Sequence, residues 1–353
     1  MVASGTAKKK RFFKSSNLKN NLFVRFTVFP VIFVLFKLLK SLISILPSRL
    51  VYLIGRFLGL IVWVSSRRRR LIALRNLEIA FGDQYTPKQR RRIARRSVQH
   101  FCLTGLDLFL LPRYWGDKWR QVVNLTDAQE AQLKSLTEYQ GSAALQTGHL
   151  GSWELASGLA SYCNRQISIV YRPLDIPAVD AEVRKLRTSC GHKAYEKQGA
   201  LKGYMRALKK NEWLGIVADQ NAGSRSAFLS FFGTPAATEV SYFPLYLKFN
   251  TKVFAVFAIR DGFNFRFHLH GLYEITPDHD ADKVEESLRL GQWYNDCIEE
   301  VARSHPEQYC WMHKRWKSRS DNAPDLYDKI NRPLDQETIN NQPVAPIPPK
   351  RWQ

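Results

Sequence analysis

Two apolar stretches near the N-terminus, Leu22 to Leu46 and Leu50 to Val64, constrain this chain more than any other feature. The first has the roughly 20 largely apolar residues that a bilayer crossing needs, although Arg25, Lys37 and Lys40 interrupt it. Lysines and arginines from Lys8 to Arg25 precede its part from Phe26 to Leu46, and Arg67-Arg68-Arg69-Arg70 follows the second stretch. It is longer than the apolar core of a secretory signal and no small-residue cleavage site follows, so it is expected to be retained. A single crossing would leave one of the two basic clusters on the wrong side of the bilayer. Two arrangements remain: a hairpin turning at Pro47-Ser48, or two helices lying in one leaflet with their lysines and arginines snorkelling. Either keeps the rest of the chain on the cytoplasmic face. The competing account, buried helices of a soluble protein, requires lysines inside a core, where they are rarely tolerated.

The charge points the same way without choosing a partner. Fifty-three Lys and Arg against 31 Asp and Glu leave a net charge of +22. Such a surface attracts nucleic acid, anionic lipid or an acidic protein. The five cysteines contain no Cys-x-x-Cys pair, no His-Glu-x-x-His occurs, and His268-x-His270 lacks a third ligand nearby, so no metal is expected. A serine hydrolase is excluded by the absence of Gly-x-Ser-x-Gly.

Downstream, strand-like and helix-like patterns alternate. Gly141 to Gln146, Ile167 to Tyr171 and Trp213 to Ala218 read as buried strands; Trp153 to Tyr162, Ala178 to Ser189 and Leu201 to Lys210 read as helices. That alternation predicts an α/β sheet. Lys252 to Ile259 and Phe263 to Gly271 read as a hairpin turning at Asp261-Gly262, and Val284 to Arg303 as a helix. The boundaries that follow are a basic, flexible arm over 1–21, a membrane-associated helical segment over 22–66, a catalytic domain over 67–320, and a poorly ordered polar tail over 321–353.

The chemistry concentrates at strand ends. Thr147-Gly148-His149-Leu150-Gly151-Ser152-Trp153-Glu154 places an imidazole and a carboxylate five residues apart on a strand-to-helix turn. On a continuous helix the two would diverge by about 140°; a bend at Gly148 and Gly151 lets them meet. Glu154 then orients His149, whose other nitrogen takes a proton from an alcohol. The competing reading is a histidine simply satisfied by a nearby acid. Arg172 and the Asp219-Gln220 loop follow two other strands, where α/β sheets bind ligands; Arg172 suits a phosphate, and Asp219 either holds Arg172 or positions a substrate hydroxyl. Phe231-Phe232-Gly233 lies in an apolar loop expected to line an acyl channel, with core packing as the alternative. Trp311-Met312-His313-Lys314-Arg315-Trp316-Lys317 alternates aromatic and basic residues, a pattern for a membrane interface or a phosphate.

Five ordered blocks carry a resemblance: His149 to Leu155, Tyr171 to Asp175, Asp219 to Gly223, Phe231 to Thr238, and Pro306 to Tyr309 with Trp311 to Lys317. With Leu46-Pro47-Ser48-Arg49, Arg75-Asn76-Leu77 and Phe81-Gly82, they resemble the late (secondary) acyltransferases of lipid A biosynthesis, relatives of the lysophospholipid acyltransferases. Ser152 stands where that family commonly has Asn, and Asn221, just before Ala222, where it commonly has Asp. The resemblance implies a glycerolipid acyltransferase-like fold, a mixed, mostly parallel sheet flanked by helices. It implies transfer of a fatty acyl group from acyl carrier protein to a hydroxyl on an acyl chain of a Kdo-lipid A precursor, at the cytoplasmic face of the bacterial inner membrane. His149 is then the base and Glu154 its partner. Arg172, Asp219, Gln220, Phe231, Phe232 and Gly233 are assigned to substrate. No cofactor or nucleic acid is implied, and anionic inner-membrane lipids join the partners. An acyl-CoA-dependent phospholipid or glycolipid acyltransferase, and a non-catalytic basic membrane- or nucleic-acid-binding protein, are the alternatives.

Overall fold

The computed structural model describes residues 24–196, 199–320, 323–334 and 346–349; the basic arm over 1–21 lies outside them. A π-helical turn, Val24–Val28, leads into α1 (Phe29–Ile45), which ends because Leu46 turns extended ahead of Pro47. Then α2 (Ser48–Ser65) runs on to α3 (Arg67–Phe81) and α4 (Pro87–Leu110), the last opened by a capping box between Thr86 and Gln89. Both α1, with its preceding turn, and α2 are long and apolar enough to cross a membrane. The account that buries them in a soluble core is not what the structure shows for α1: Val31, Leu35, Leu38, Leu42 and Ile45 are exposed.

In contrast, α2 is seated on α4 through two glycines. A Cβ on Gly59 would stand 2.5 Å from the Gln99 Cα, and one on Gly55 would stand 2.4 Å from the Leu103 Cδ2. The close crossing therefore depends on hydrogen at both positions.

The chain continues as β1 (Val123–Asn124), α5 (Asp127–Glu138), β2 (Ala143–Thr147), α6 (Trp153–Ala156), α7 (Gly158–Tyr162), β3 (Ile167–Tyr171), α8 (Pro177–Arg187), β4 (Lys193–Glu196), α9 (Ala200–Leu208) and β5 (Trp213–Val217). It closes with β6 (Ala227–Phe231), β7 (Thr234–Thr238), α10 (Phe243–Lys248), β8 (Lys252–Arg260), β9 (Phe267–Ile275) and α11 (Lys283–Ser304). Seven strands form one sheet in the order β1-β9-β8-β2-β5-β3-β4, parallel throughout except for the β8/β9 hairpin. This is the expected mixed, mostly parallel sheet with helices around it. The central strand β2 is buried along its whole length and β5 along most of it, as expected for strands in the middle of a parallel sheet. One predicted helix differs: 153–162 breaks at Ser157 into α6 and α7, since Gly158 lies against the Trp119 ring, too near for a side chain.

Three expectations for the C-terminal half change. The apolar loop becomes a buried antiparallel hairpin, β6/β7, turning at Phe232 (φ 53) and Gly233 (φ 70), the positive angles that a two-residue hairpin turn requires. Phe231 and Phe232 pack against each other and against Trp316 and Trp311 in the interior. The Trp311–Lys317 segment is likewise inside: Trp311, Trp316 and Arg315 are buried, and the Arg315 guanidinium donates to the Ala237 carbonyl (2.6 Å) and the Thr238 hydroxyl (2.9 Å). Finally, residues 323–334 are docked instead of forming a loose polar tail. Leu326 and Tyr327 are buried against α3, where the Arg75 guanidinium donates to the Leu326 carbonyl (2.8 Å) and the Tyr327 hydroxyl donates to the Asn76 side-chain oxygen (2.6 Å). In each case aromatic side chains are drawn inward by the large apolar area they bury.

Gly59→Val forces the α2/α4 crossing apart and is expected to lower unfolding stability by about 1–3 kcal/mol, the usual cost of overpacking. Thermal melts of the protein in detergent check this. Gly105→Ala, inside α4 and with nothing within 4 Å of its Cβ, is the control and is expected to melt at or slightly above the parent, because alanine favours the helix over glycine.

Candidate active site

His149, Arg172, Asp219 and Gln220 follow the carboxyl ends of the parallel strands β2, β3 and β5. After β2 the chain turns sharply, with Leu150 N–H bonded to the Gly148 carbonyl at 2.7 Å. Gly151 takes φ +57, and a Cβ there would meet the Ala258 carbonyl at 2.2 Å, so only glycine fits. Its N–H donates to the Gln308 carbonyl (3.1 Å), its carbonyl accepts from the Thr104 hydroxyl (2.8 Å), and Ser152 N–H donates to Ala258 (2.9 Å). The His149 carbonyl is taken by Cys310 N–H at 2.9 Å. With its neighbours' backbone groups so engaged, the turn holds the His149 imidazole in one place.

What faces the imidazole is Asp219. One carboxylate oxygen accepts from the His149 backbone N–H at 2.9 Å and the other contacts ring Nδ1 at 2.6 Å. The carboxylate is 2% exposed and the imidazole 21%, so the acid is sealed behind a ring whose far edge reaches the cleft. Burial depresses the imidazole pKa, but the Asp219 charge and hydrogen bond, with Glu154 adding to them, more than reverse that and hold it above the ordinary histidine value. For Asp219, burial raises the carboxyl while His149 and then Arg315 lower it, and the net position is below the usual carboxylate range. The ring's other nitrogen, Nε2, lies 3.3 Å from the Gln220 side-chain nitrogen, and the Trp153 ring is 5.0 Å away, centroid to centroid.

Glu154 is not bonded to His149, against the expectation from the motif. It opens α6, and the turn at Gly151 sends its carboxylate toward α8, where Arg187 Nε reaches both oxygens at 3.0 Å and Nη2 completes a bidentate pair. Glu154 therefore acts on the imidazole by charge across space, while Asp219 supplies the contact. Nor does Asp219 hold Arg172, since both its oxygens go to His149; Arg172 is exposed on the cleft wall. On the opposite side, Asn221 N–H donates to His313 Nε2 at 3.0 Å, and burial pushes that imidazole down to about 4, leaving it neutral and able to accept.

These groups open into a cleft of about 850 Å³. His149, Glu154, Arg172, Arg187, Gln220 and His313 line it together with apolar residues such as Leu145, Ile169 and Val256. Phe231, Phe232 and Gly233 are not among the lining residues; the two phenylalanines belong to the aromatic interior described above, and Gly233 is exposed at the hairpin turn. Sequence reasoning missed Arg187 and His313. Arg187 looks like one of several basic residues on a helix, and His313 sits in a motif read for its aromatic and basic pattern; only long-range packing brings either to His149. Among the described residues no group of three His, Cys, Asp or Glu is arranged to hold a metal.

The chain matches, over residues 20–318, the family described as "Bacterial lipid A biosynthesis acyltransferase". It is similar to the lipid A biosynthesis lauroyltransferase of Escherichia coli K12, 26% identical over 296 residues, covering 80% of this chain and 90% of the relative. The lipid A biosynthesis palmitoleoyltransferase of the same strain is 26% identical over 291 residues, with 80% and 90% covered. A lipid A biosynthesis acyltransferase of Haemophilus influenzae is 28% identical over 303 residues, with 80% and 89% covered.

The His149–Asp219 contact sets a pH window. A raised imidazole pKa contributes stability that is fully present below the unfolded value of about 6.5 and lost as pH rises through the folded one. The lowered carboxyl contributes stability present above its unfolded value of about 3.9 and lost as pH falls through its folded one. NMR titration of the His149 ring is expected to show a midpoint above 6.5 in the parent and a lower one in Asp219→Asn, whereas Glu154→Gln is expected to shift it less.

Proposed function

The chain belongs to the bacterial lipid A biosynthesis acyltransferase family and is an acyltransferase, and from that premise we propose that it moves a fatty acyl group from the thioester of acyl carrier protein to a hydroxyl on an acyl chain of a Kdo-lipid A precursor. The observation that carries the reading is the buried Asp219 carboxylate on His149 Nδ1, with Nε2 directed to the cleft. Asp219 fixes the tautomer with the proton on Nδ1, so Nε2 has a free lone pair.

The acceptor hydroxyl gives its proton to His149 Nε2 as its oxygen attacks the thioester carbonyl. The tetrahedral intermediate collapses with cleavage of the C–S bond, and the proton passes from Nε2 to the departing thiolate. No acyl-enzyme is required. Asp219 stabilises the imidazolium between the two transfers. Gln220 lies beside Nε2, where the hydroxyl must stand, and its amide contributes to placing that group. Arg172 on the cleft wall, and Arg187 held by Glu154, meet the phosphates of the acceptor. Glu154 thus serves by fixing Arg187 and by its charge near His149.

Location follows from the same geometry. The exposed apolar surface of α1 and its continuation α2 seats in the inner membrane, with the Arg67–Arg70 block at anionic headgroups and the sheet on the cytoplasmic side. The acceptor is delivered from that bilayer, and acidic acyl carrier protein is drawn to the basic surface.

With purified enzyme, acyl carrier protein thioester and precursor, His149→Ala is expected to reduce transfer by about 10²–10⁴-fold, the span general-base catalysis contributes, with membrane association retained. The parent rate is expected to fall toward acid with a midpoint above the ordinary histidine value, because the base acts only when neutral. Mass spectrometry of lipid A from cells with and without the gene reads the acceptor: a missing secondary acyl chain is expected, and an unchanged lipid A profile alongside altered phospholipids would refute the assignment.

A further inference from the structure

Strands β2 and β5 are in register up to the pair Thr147↔Val217, and immediately beyond it they must part to let His149 and Asp219 face each other. At the point of parting stands Tyr294, fully buried on α11. Its hydroxyl accepts from Ala218 N–H at 3.0 Å and donates to the Thr147 carbonyl. In a parallel ladder neighbouring strands satisfy these groups directly; here a phenol oxygen is inserted between them. Thr147 lies two residues before the imidazole and Ala218 one before its carboxylate. The next turn of α11 reinforces the contact, since Ile298 Cδ1 lies 3.5 Å from where a Gly148 Cβ would be.

We infer that Tyr294 is a positioning residue for the acyl transfer: its hydroxyl wedges the ends of β2 and β5 apart by one inserted hydrogen bond, setting the separation at which the Asp219 carboxylate spans both the backbone N–H and Nδ1 of His149. Burial keeps the phenol protonated, so the donor to Thr147 is always present. Without the hydroxyl, Ala218 N–H and the Thr147 carbonyl are left to close on each other, because buried backbone groups that lose a partner find another or destabilise the fold. Closure draws the carboxylate out of line with the ring. The inference rests on the base assignment of His149 made above.

The charged groups acting on the pair are Glu154 and Arg187 from α6 and α8 and Arg315 on the carboxylate; His313 across Asn221 is neutral, and burial keeps Tyr242, Tyr294, Tyr309 and Cys310 near Asp219 protonated. Tyr294→Phe removes no charge, so a changed titration reports the lost hydroxyl and the geometry it sets. The full-length variant, purified in detergent and assayed with acyl carrier protein thioester and precursor, is expected to lose about 10–100-fold in kcat, in line with a displacement of a catalytic group on the ångström scale, with KM for both substrates changed less than about twofold. Its acid limb is expected to move to lower pH, because the imidazole loses part of what holds its pKa up. Ile298→Ala, which removes packing but no hydrogen bond, is expected to lower the melting temperature and leave the acid limb in place. An unchanged kcat and acid limb in Tyr294→Phe would overturn the inference. Should Tyr294→Phe not fold, 4-fluorophenylalanine at 294 keeps nearly the volume of the hydroxyl but cannot donate to the Thr147 carbonyl, and a kcat and acid limb identical to the parent's would overturn it equally. Failure of the base assignment reads out separately, as full activity in His149→Ala.

Discussion

The hydrogen bonds from Asp219 to the His149 backbone and ring span the gap between the ends of two central strands, and the site is organised around that span. A carboxylate this deeply buried is costly unless it is paired and hydrogen-bonded. Asp219 meets that condition only if the turn after β2 presents both an N–H and an imidazole nitrogen to it. The turn does so because Gly151 is pressed against Ala258 on β8 and because Gln308, Thr104 and Cys310 take up the neighbouring backbone groups. The helices, the β8/β9 hairpin and the C-terminal segment thus converge on one loop.

A second buried polar network ties this loop to the N-terminal helices. Arg260, at the end of β8, pairs with Asp107 of α4 and donates to the Tyr52 hydroxyl of α2 at 2.9 Å. Its backbone N–H and carbonyl are bracketed by the side chain of Gln308 (3.0 and 2.8 Å), whose own carbonyl holds Gly151. The apolar helices are therefore joined by contiguous hydrogen bonds to the residue that shapes the catalytic turn. Breaking one member would strand a charge in the interior, so the network acts as a unit.

Much of the architecture was legible in the sequence. Periodicity located β2, β3, β5, β8 and β9, the helical stretch 153–162 and the helices α8, α9 and α11, because a buried parallel strand reads as a short apolar run; the short helix α10 carries no such signal. The hairpin β6/β7 was read as a loop since Thr234 to Thr238 carries proline and small residues, and what makes it a strand is pairing with β6 beneath α11. The aromatic and basic run from Trp311 to Lys317 suggested an interface, yet Trp311 and Trp316 fill the space between α3 and that hairpin, and the buried Arg315 guanidinium donates to the Ala237 carbonyl, the Thr238 hydroxyl and the Asn295 side-chain oxygen. Composition marks such side chains as amphipathic; it does not say which surface they cover.

At the site, local sequence determined His149. A histidine between two glycines at the end of an apolar strand is committed to the carboxyl edge of the sheet, and the same holds for Arg172 and the Asp219-Gln220 loop. The partnership was decided by tertiary structure alone. Glu154, five residues away, is the near acid in sequence, but backbone geometry at Gly151 turns it to Arg187, while Asp219, seventy residues away, is brought to the ring by strand register. Hydrogen bonds are short-ranged and directional, so which acid meets an imidazole depends on how strands are ordered in the sheet, and that order is a property of the whole fold.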